Sequence, residues 1–136
     1  MILQPRQLKY PKHFRGKMKG ISTSCNEVEF GDFAIKALDR GWITEKQIEA
    51  ARKTIIHHTK KQGKLWIRIF PDKPYTKKPA EVRMGGGKGD VAGYVAVVKP
   101  GRILFEVGGL DEGVALKALK AATYKLPIKS KIISKE

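Results

Sequence analysis

The clearest periodic pattern in the chain is an apolar stripe at helical spacing that follows Thr44. The stripe consists of Ile48, Ala51 and Ile55. Thr44 is a favourable N-cap residue, and Gln47 stands three positions later, where its side chain can complete a capping box. Together these features predict a helix that begins after Thr44 and packs one face on a core.

Basic residues occupy the other face of this helix, mainly in the half that precedes Gly63, its predicted C-cap. They are Arg52, Lys53, Lys60 and Lys61. The helix dipole favours cations near a C-terminus, and most charged faces are simply solvated. This face alone therefore does not establish a binding site.

Two further helices are predicted. Asp111 precedes a stripe of apolar residues at helical spacing, and the sequence Leu126-Pro127 closes that helix. The stripe consists of Ala115, Ala118, Leu119 and Ala122. A short helix over Gly31–Asp39, stopped at Gly41, is predicted from Phe33, Ala34, Ala37 and Leu38.

Short apolar or alternating runs predict the strands. They are Val28–Phe30, Leu65–Phe70, Tyr94–Val98, Ile103–Val107 and a last run that contains Ile128, Ile132 and Ile133. The run Tyr94–Val98 is continuously apolar, as in a strand covered on both faces. The turn signal at residues 99–102 predicts that Ile103–Val107 returns as its hairpin partner. The fold class is therefore α+β, a single domain with an antiparallel sheet and two to three helices packed on it.

A long segment over residues 71–92 separates two of these strands, and no helix or strand is predicted in it. It contains Pro71, Pro74 and Pro79, four glycines between Gly85 and Gly89, and the cations Lys73, Lys77, Lys78, Arg83 and Lys88. Loops of this length inside compact domains are usually functional or disordered. We interpret it as a stiffened basic loop that contacts a polyanion.

The first twenty residues form a second basic segment. Their cations are Arg6, Lys9, Lys12, Arg15, Lys17 and Lys19, with no acidic residue among them and with Tyr10 and Phe14 interleaved. A solvated tail is one interpretation. Cations and aromatics in alternation instead favour an arm that orders on RNA, so the chain divides into an arm over 1–20 and a domain over 21–136.

The charge balance of the whole chain indicates what kind of partner it has. Its 136 residues carry 28 Lys and Arg against 13 Asp and Glu, a formal net charge of +15. Such an excess is costly in self-repulsion unless a partner cancels it. Nucleic acid fits first, a membrane surface second, and a basic domain without such a partner last. With Cys25 as the one cysteine, no intramolecular disulfide can form, which favours a reducing compartment.

Several short motifs suggest enzyme chemistry, but their contexts do not support it. Residues 87–92 match a dinucleotide fingerprint, which must open a helix, whereas here it opens a predicted strand. His57 and His58 are adjacent, so on a helix they point about 100° apart and cannot easily share a metal. The cluster Ser22–Cys25 lacks a recognisable base and is better explained as a polar loop. We predict no catalytic residue, no metal, no cofactor and no enzyme activity. With no apolar run of about 18 residues and no secretory signal, we also predict no membrane partner.

Eight blocks of the chain, in collinear order, resemble the bacterial-type large-subunit ribosomal protein L-sixteen family. The blocks are Leu3–Arg6, His13–Gly20, Thr44–Arg52, Gly63–Pro74, Lys78–Gly85, Gly87–Gly89, Lys99–Gly101 and Lys125–Lys129. They cover nearly the whole chain, and the Trp-to-Pro and Arg-Met-Gly runs are the most specific. Members of the family often have Glu-Tyr-Trp where this chain has Ala92-Gly93-Tyr94, which puts one packing contact in doubt but neither basic segment.

The resemblance implies an α+β protein that joins the large ribosomal subunit late and binds large-subunit rRNA beside other ribosomal proteins. It also implies a position near the aminoacyl- and peptidyl-tRNA sites, on ribosomes of the bacterial cytoplasm or of an organelle. The segments Arg6–Lys19 and Lys77–Lys88 would reach furthest into RNA, with Arg83 at the tip. A free-standing RNA-binding assembly factor is the alternative. The candidate RNA-binding residues are Arg6, Lys9, Lys12, His13, Arg15, Lys17, Lys19, Arg52, Lys60, Lys61, Lys64, Lys73, Lys77, Lys78, Arg83, Met84, Gly85 and Lys88.

Overall fold

The computed structural model describes residues 26–77 and 90–135, which contain two helices and seven strands. In chain order the elements are β1 (Phe33–Ala37), β2 (Gly41–Thr44), α1 (Glu45–Thr59), β3 (Lys64–Ile67), β4 (Lys73–Lys77), β5 (Asp90–Val98), β6 (Ile103–Gly108), α2 (Glu112–Thr123) and β7 (Ser130–Ser134). The α+β class is confirmed. The predicted arm over 1–20 and the central part of the basic loop, residues 78–89, lie outside the described residues.

The strands form two antiparallel sheets rather than the single sheet expected. The first has the order β3-β6-β1-β7 and the second the order β2-β5-β4. Strand β6 is central in the first sheet, and every one of its residues is buried. The strand predicted over Leu65–Phe70 is shorter at its end, since β3 stops at Ile67. The last predicted strand is confirmed as β7.

The predicted hairpin between Tyr94–Val98 and Ile103–Val107 is wrong, although both strands exist. Strand β5 pairs with β2 and β4, whereas β6 pairs with β1 and β3. The turn itself forms, with Gly101 at φ 95°. The amide of Gly101 donates to the Ala37 carbonyl at 2.8 Å, and the Ala37 amide donates to the Arg102 carbonyl at 2.8 Å. These bonds tie the turn to the end of β1, so the chain crosses from one sheet to the other. Strand β5 is also not covered throughout, because Val97 is exposed.

Two predictions before residue 40 are wrong. The helix expected over Gly31–Asp39 is strand β1, which lies between β6 and β7 and buries Ala34, Ile35 and Ala37. This long-range pairing on both edges overrides the local helical spacing. The strand expected at Val28–Phe30 is irregular, because its last amides donate to a side chain rather than to a neighbouring strand.

Helix α1 begins as predicted and ends earlier than predicted. The Thr44 hydroxyl accepts from the Gln47 amide at 3.2 Å, and the Gln47 side chain accepts from the Thr44 amide at 2.9 Å, which completes the capping box. The C-cap is Lys60, in the left-handed conformation, and not Gly63. Gly63 has another role: at φ 71° it passes so close to β6 that a Cβ would lie 2.5 Å from the Gly108 carbonyl oxygen.

Helix α2 follows Asp111 as predicted, but the Asp111 side chain makes no capping hydrogen bond. The two helices pack on each other and on the sheets, and both predicted apolar stripes are buried. Phe105 of β6 is the largest fully buried side chain in the described part of the core. The core thus fixes which face of α1 remains outside.

The basic loop starts and ends in paired strands, contrary to the prediction that it lacks them. Strand β4 pairs with β5 from Lys73 opposite Val95 to Lys77 opposite Asp90. Pro74 lies within β4, which is an edge strand, where a proline is tolerated. We call this pair the β4–β5 ribbon; residues 78–89 connect its two strands.

Candidate nucleic-acid interface

Three adjoining pockets line the outer face of α1, and all three include Arg52 and Ile56. Their volumes are about 400, 590 and 550 Å³. The first pocket extends to the start of β3 at Lys64. The second pocket lies along the end of the helix. We call the three together the basic groove, because its cations are Arg52, Lys53, Lys60, Lys61, Lys64 and Arg68.

Lys60 and Lys61, at one rim of the groove, have an unusual backbone conformation. They have φ values of 53° and 62°, and they are the non-glycine residues with positive φ in the described ranges. The Lys61 amide donates to the Ile56 carbonyl at 3.2 Å, which closes the end of the helix. A side chain in this conformation costs about 1–2 kcal/mol. The strained turn places two exposed lysines side by side at the rim of the groove.

Arg52 stands at the centre of the groove and is held by Glu49 from one turn earlier. The guanidinium donates from Nε to Glu49 Oε2 at 3.1 Å and from its terminal nitrogen to Oε1. Both side chains are 23% exposed. The hydrogen bond from Arg52 lowers the pKa of Glu49, and the reverse contact raises the pKa of Arg52. The guanidinium is therefore positioned and charged before any partner binds.

Glu106 anchors the far end of the groove from inside the first sheet. Its carboxylate is fully buried, and one oxygen accepts three amides, those of Glu29, Phe30 and Gly31, at 3.0, 2.9 and 3.0 Å. The other oxygen accepts from the Arg68 guanidinium. Burial by itself would raise the pKa of Glu106, but the amides and Arg68 outweigh it and lower that pKa. The carboxylate is thus ionised in the folded protein.

An aromatic stack is connected to this anchor through the Phe30 amide. The Phe30 ring is 6.1 Å from the Trp66 ring, centroid to centroid, at an interplanar angle of 22°. The guanidinium carbon of Arg68 lies 4.7 Å from the Phe30 centroid. Phe30 nevertheless remains 55% exposed. Phe30, Trp66 and Arg68 all line the third pocket with Arg52.

The sequence predicted one part of this site and missed the other. Arg52, Lys60, Lys61 and Lys64 were candidates, and the fold brings them together around the groove. Phe30, Trp66 and Arg68 were not candidates. The available signal was Glu106, an acid within the apolar run Ile103–Val107. A buried carboxylate requires a cation and hydrogen-bond donors nearby, and Arg68 is one of the groups that supply them.

The remaining candidates are distributed elsewhere. Lys73 belongs to the second sheet, and its ammonium lies 4.8 Å from the centroid of the Trp42 ring. Lys77 ends β4 opposite Asp90. The others lie outside the described residues: Arg6, Lys9, Lys12, His13, Arg15, Lys17, Lys19, Lys78, Arg83, Met84, Gly85 and Lys88.

Other kinds of site find little support in the described ranges. Residues 26–77 and 90–135 contain no group of three or more His, Cys, Asp or Glu side chains that could hold a metal ion. His57 and His58 lie edge to face, with ring centroids 5.7 Å apart. The dinucleotide-like motif runs into strand β5 at Asp90 and not into a helix. Within the same residues, neither helix is long and apolar enough to cross a membrane.

Comparison with known proteins identifies the family of the chain. The family model described as Ribosomal protein L16p/L10e matches residues 5–133. The large ribosomal subunit protein uL16 of Thermus thermophilus is 57% identical over 135 residues, which cover 99% of this chain and 96% of that protein. The chain therefore belongs to the ribosomal protein L16p/L10e family.

Proposed function

We propose that this protein is a structural constituent of the large ribosomal subunit and binds large-subunit rRNA. Membership of a ribosomal protein family supports this role, as does a bacterial relative named for the large subunit. The structural observation that carries it is the convergence of Arg52, Lys60, Lys61 and Lys64 on one groove. In this role the protein works on the ribosome in the cytoplasm and catalyses no reaction.

The basic groove suits RNA because its cations sit where a phosphate backbone can pass. Each phosphate neutralised releases counterions and adds affinity. Arg52 is oriented by Glu49 and presents a planar donor group, whereas the lysines act as mobile point charges. The net charge of +15 also attracts RNA, and it acts over a longer range than these contacts.

We also propose that the protein contributes to the tRNA sites through its two basic segments. The family resemblance implies that these segments are Arg6–Lys19 and Lys77–Lys88. The β4–β5 ribbon supports this assignment, because it provides a hydrogen-bonded base for the loop that contains Arg83. Other large-subunit proteins would be neighbours of this chain in the assembled particle.

The test is sedimentation of a tagged copy from a cell lysate through a density gradient, first at low and then at high salt. We expect the protein to migrate with large subunits and to stay there at high salt, as an integrated component does. Release at moderate salt would favour the free-standing assembly factor. Absence from large subunits at low salt would refute the proposed function.

A further inference from the structure

Phe30, one ring of the Phe30–Trp66 stack, is exposed to solvent, whereas Trp66 is half-buried. Phe30 is 55% exposed, although it could stabilise the protein by burial. Phe30 instead lines a pocket of about 550 Å³, together with Trp66, Arg52 and Arg68. Ring faces and guanidinium planes are the surfaces on which unpaired nucleic-acid bases stack.

The stack is also held rigidly from below. The buried Glu106 carboxylate fixes the amides of residues 29–31. Gly31 lies so close to β6 that a Cβ there would be 2.5 Å from the Val107 carbonyl oxygen. The backbone on both sides of the Phe30 ring is therefore set during folding. A ligand that stacks on this surface therefore binds without the loss of conformational entropy that ordering the surface would cause.

Phosphate-binding groups continue from this pocket along the same groove. Arg52 and Ile56 belong to all three pockets, and Lys61 and Lys64 line the next one. A chain with a base in the aromatic pocket can thus lay its phosphates along the cations. A base inside a double helix is stacked on both faces and cannot enter such a pocket. An acidic peptide would neutralise the cations without using the rings.

We propose that the basic groove binds single-stranded RNA, with one unpaired base stacked in the pocket formed by Phe30, Trp66, Arg52 and Arg68. This inference rests on the proposed RNA-binding function and specifies its ligand at this groove. It assigns the lysines to the backbone and the aromatic pair to the base.

The experiment uses the emission of Trp66 in the full chain as a local reporter. The sequence has two tryptophans, so Trp42→Phe leaves Trp66 as the sole tryptophan, whose emission can be excited selectively. The probes are a short oligouridine, an abasic oligomer of equal length and an RNA duplex of equal length. We expect the oligouridine to quench Trp66 and to bind about tenfold more tightly than the abasic oligomer. The duplex should leave the emission unchanged.

The variant Phe30→Ala tests the aromatic surface against a matched control. It should lower the affinity for oligouridine about tenfold and leave that for the abasic oligomer unchanged. The control is Phe70→Ala, because Phe70 is similarly exposed, at 44%, and lies outside the three pockets. It should bind both probes as the parent does. Thermal denaturation of both variants verifies that they are folded.

The possible failures are distinguishable. Equal binding of oligouridine and the abasic oligomer, with Trp66 unchanged, would overturn the stacking proposal and leave RNA binding intact. Quenching of Trp66 by polyglutamate as strong as that by oligouridine would overturn it in favour of an acidic peptide. If none of the RNA probes bound at low salt, the groove would not be an RNA-binding site. Both this inference and the RNA binding proposed for the groove would then be refuted.

Discussion

The Arg68 guanidinium donates to the buried carboxylate of Glu106, and this pair joins strand β6 to the segment that follows β3. Glu106 is fully buried, whereas the Arg68 side chain is 14% exposed. The same carboxylate fixes the amides of residues 29–31. One acid in an apolar strand therefore organises the exposed end of the basic groove.

The variant Glu106→Gln should destabilise the fold strongly. It leaves the Arg68 charge without its buried counter-charge, and breaking such a pair from one side costs about 3–5 kcal/mol. The measurement is urea-induced unfolding. The matched control is Glu29→Gln, because Glu29 contacts the same guanidinium at 3.4 Å but is 55% exposed. That control should cost less than about 1 kcal/mol. Equal losses in the two variants would contradict the special role of Glu106.

The stability of the protein should also depend on pH through Glu106. Because its pKa is lower in the folded than in the unfolded state, the folded state binds fewer protons in the acidic range. The contribution is complete above the ordinary carboxyl pKa of about 4.3 and is lost as the pH falls through the lowered folded pKa. Unfolding free energies measured from neutral to acidic pH should therefore fall less in Glu106→Gln than in the parent protein. Parallel curves would refute this assignment.

Gly31→Ala and Gly113→Ala should change stability in opposite directions. A Cβ at residue 31 would lie 2.5 Å from the Val107 carbonyl oxygen, so β6 or the Glu106 contacts must shift. At Gly113, in the first turn of α2, a Cβ meets nothing within 4 Å. Alanine there should stabilise the helix by up to about 1 kcal/mol. Thermal denaturation of the two variants measures both effects, and a neutral Gly31→Ala would show that this close approach is not required.

Local signals predicted the elements whose causes are local. Thr44, Gln47 and the stripe through Ile48 and Ile55 define α1 within one stretch of chain, and the structure confirms that helix and its N-cap. Strand β1 was mistaken for a helix because its identity depends on pairing with β6 and β7, which lie far along the sequence. The same reason explains the wrong hairpin partner of Ile103–Val107.

The site divides in the same way. Arg52, Lys60 and Lys61 could be predicted, because a basic face opposite an apolar stripe is visible in the sequence. The Phe30–Trp66 stack could not, because the amides around Phe30 are held by Glu106, which belongs to a strand more than seventy residues away. The acid in the apolar run indicates a buried partner, but across 76 positions it does not indicate that the partner is the segment around Phe30. The charged part of the groove was thus predictable and the aromatic part was not.

Arg83→Ala should impair the function of the tRNA sites more than it affects folding. Arg83 lies outside the described residues, and the expectation rests on the family resemblance and on the basic loop that the β4–β5 ribbon carries. The measurement combines tRNA binding by ribosomes containing the variant with thermal denaturation of the isolated protein. A sharply lowered melting temperature together with normal ribosomes would refute the proposed role of this loop.

Lys60→Gly should stabilise the protein and weaken its binding to large-subunit rRNA. Glycine accepts the left-handed conformation without the cost that lysine incurs at φ 53°, so the free energy of unfolding should rise by about 1 kcal/mol. The loss of one phosphate contact should reduce the salt dependence of RNA binding by about one unit of the log–log slope. Lys60→Ala is the matched control, since it removes the same charge but keeps the strained backbone. It should weaken RNA binding equally and give no gain in stability. If Lys60→Gly stabilised the protein and both variants bound rRNA as the parent does, the strained turn would have no role in RNA recognition.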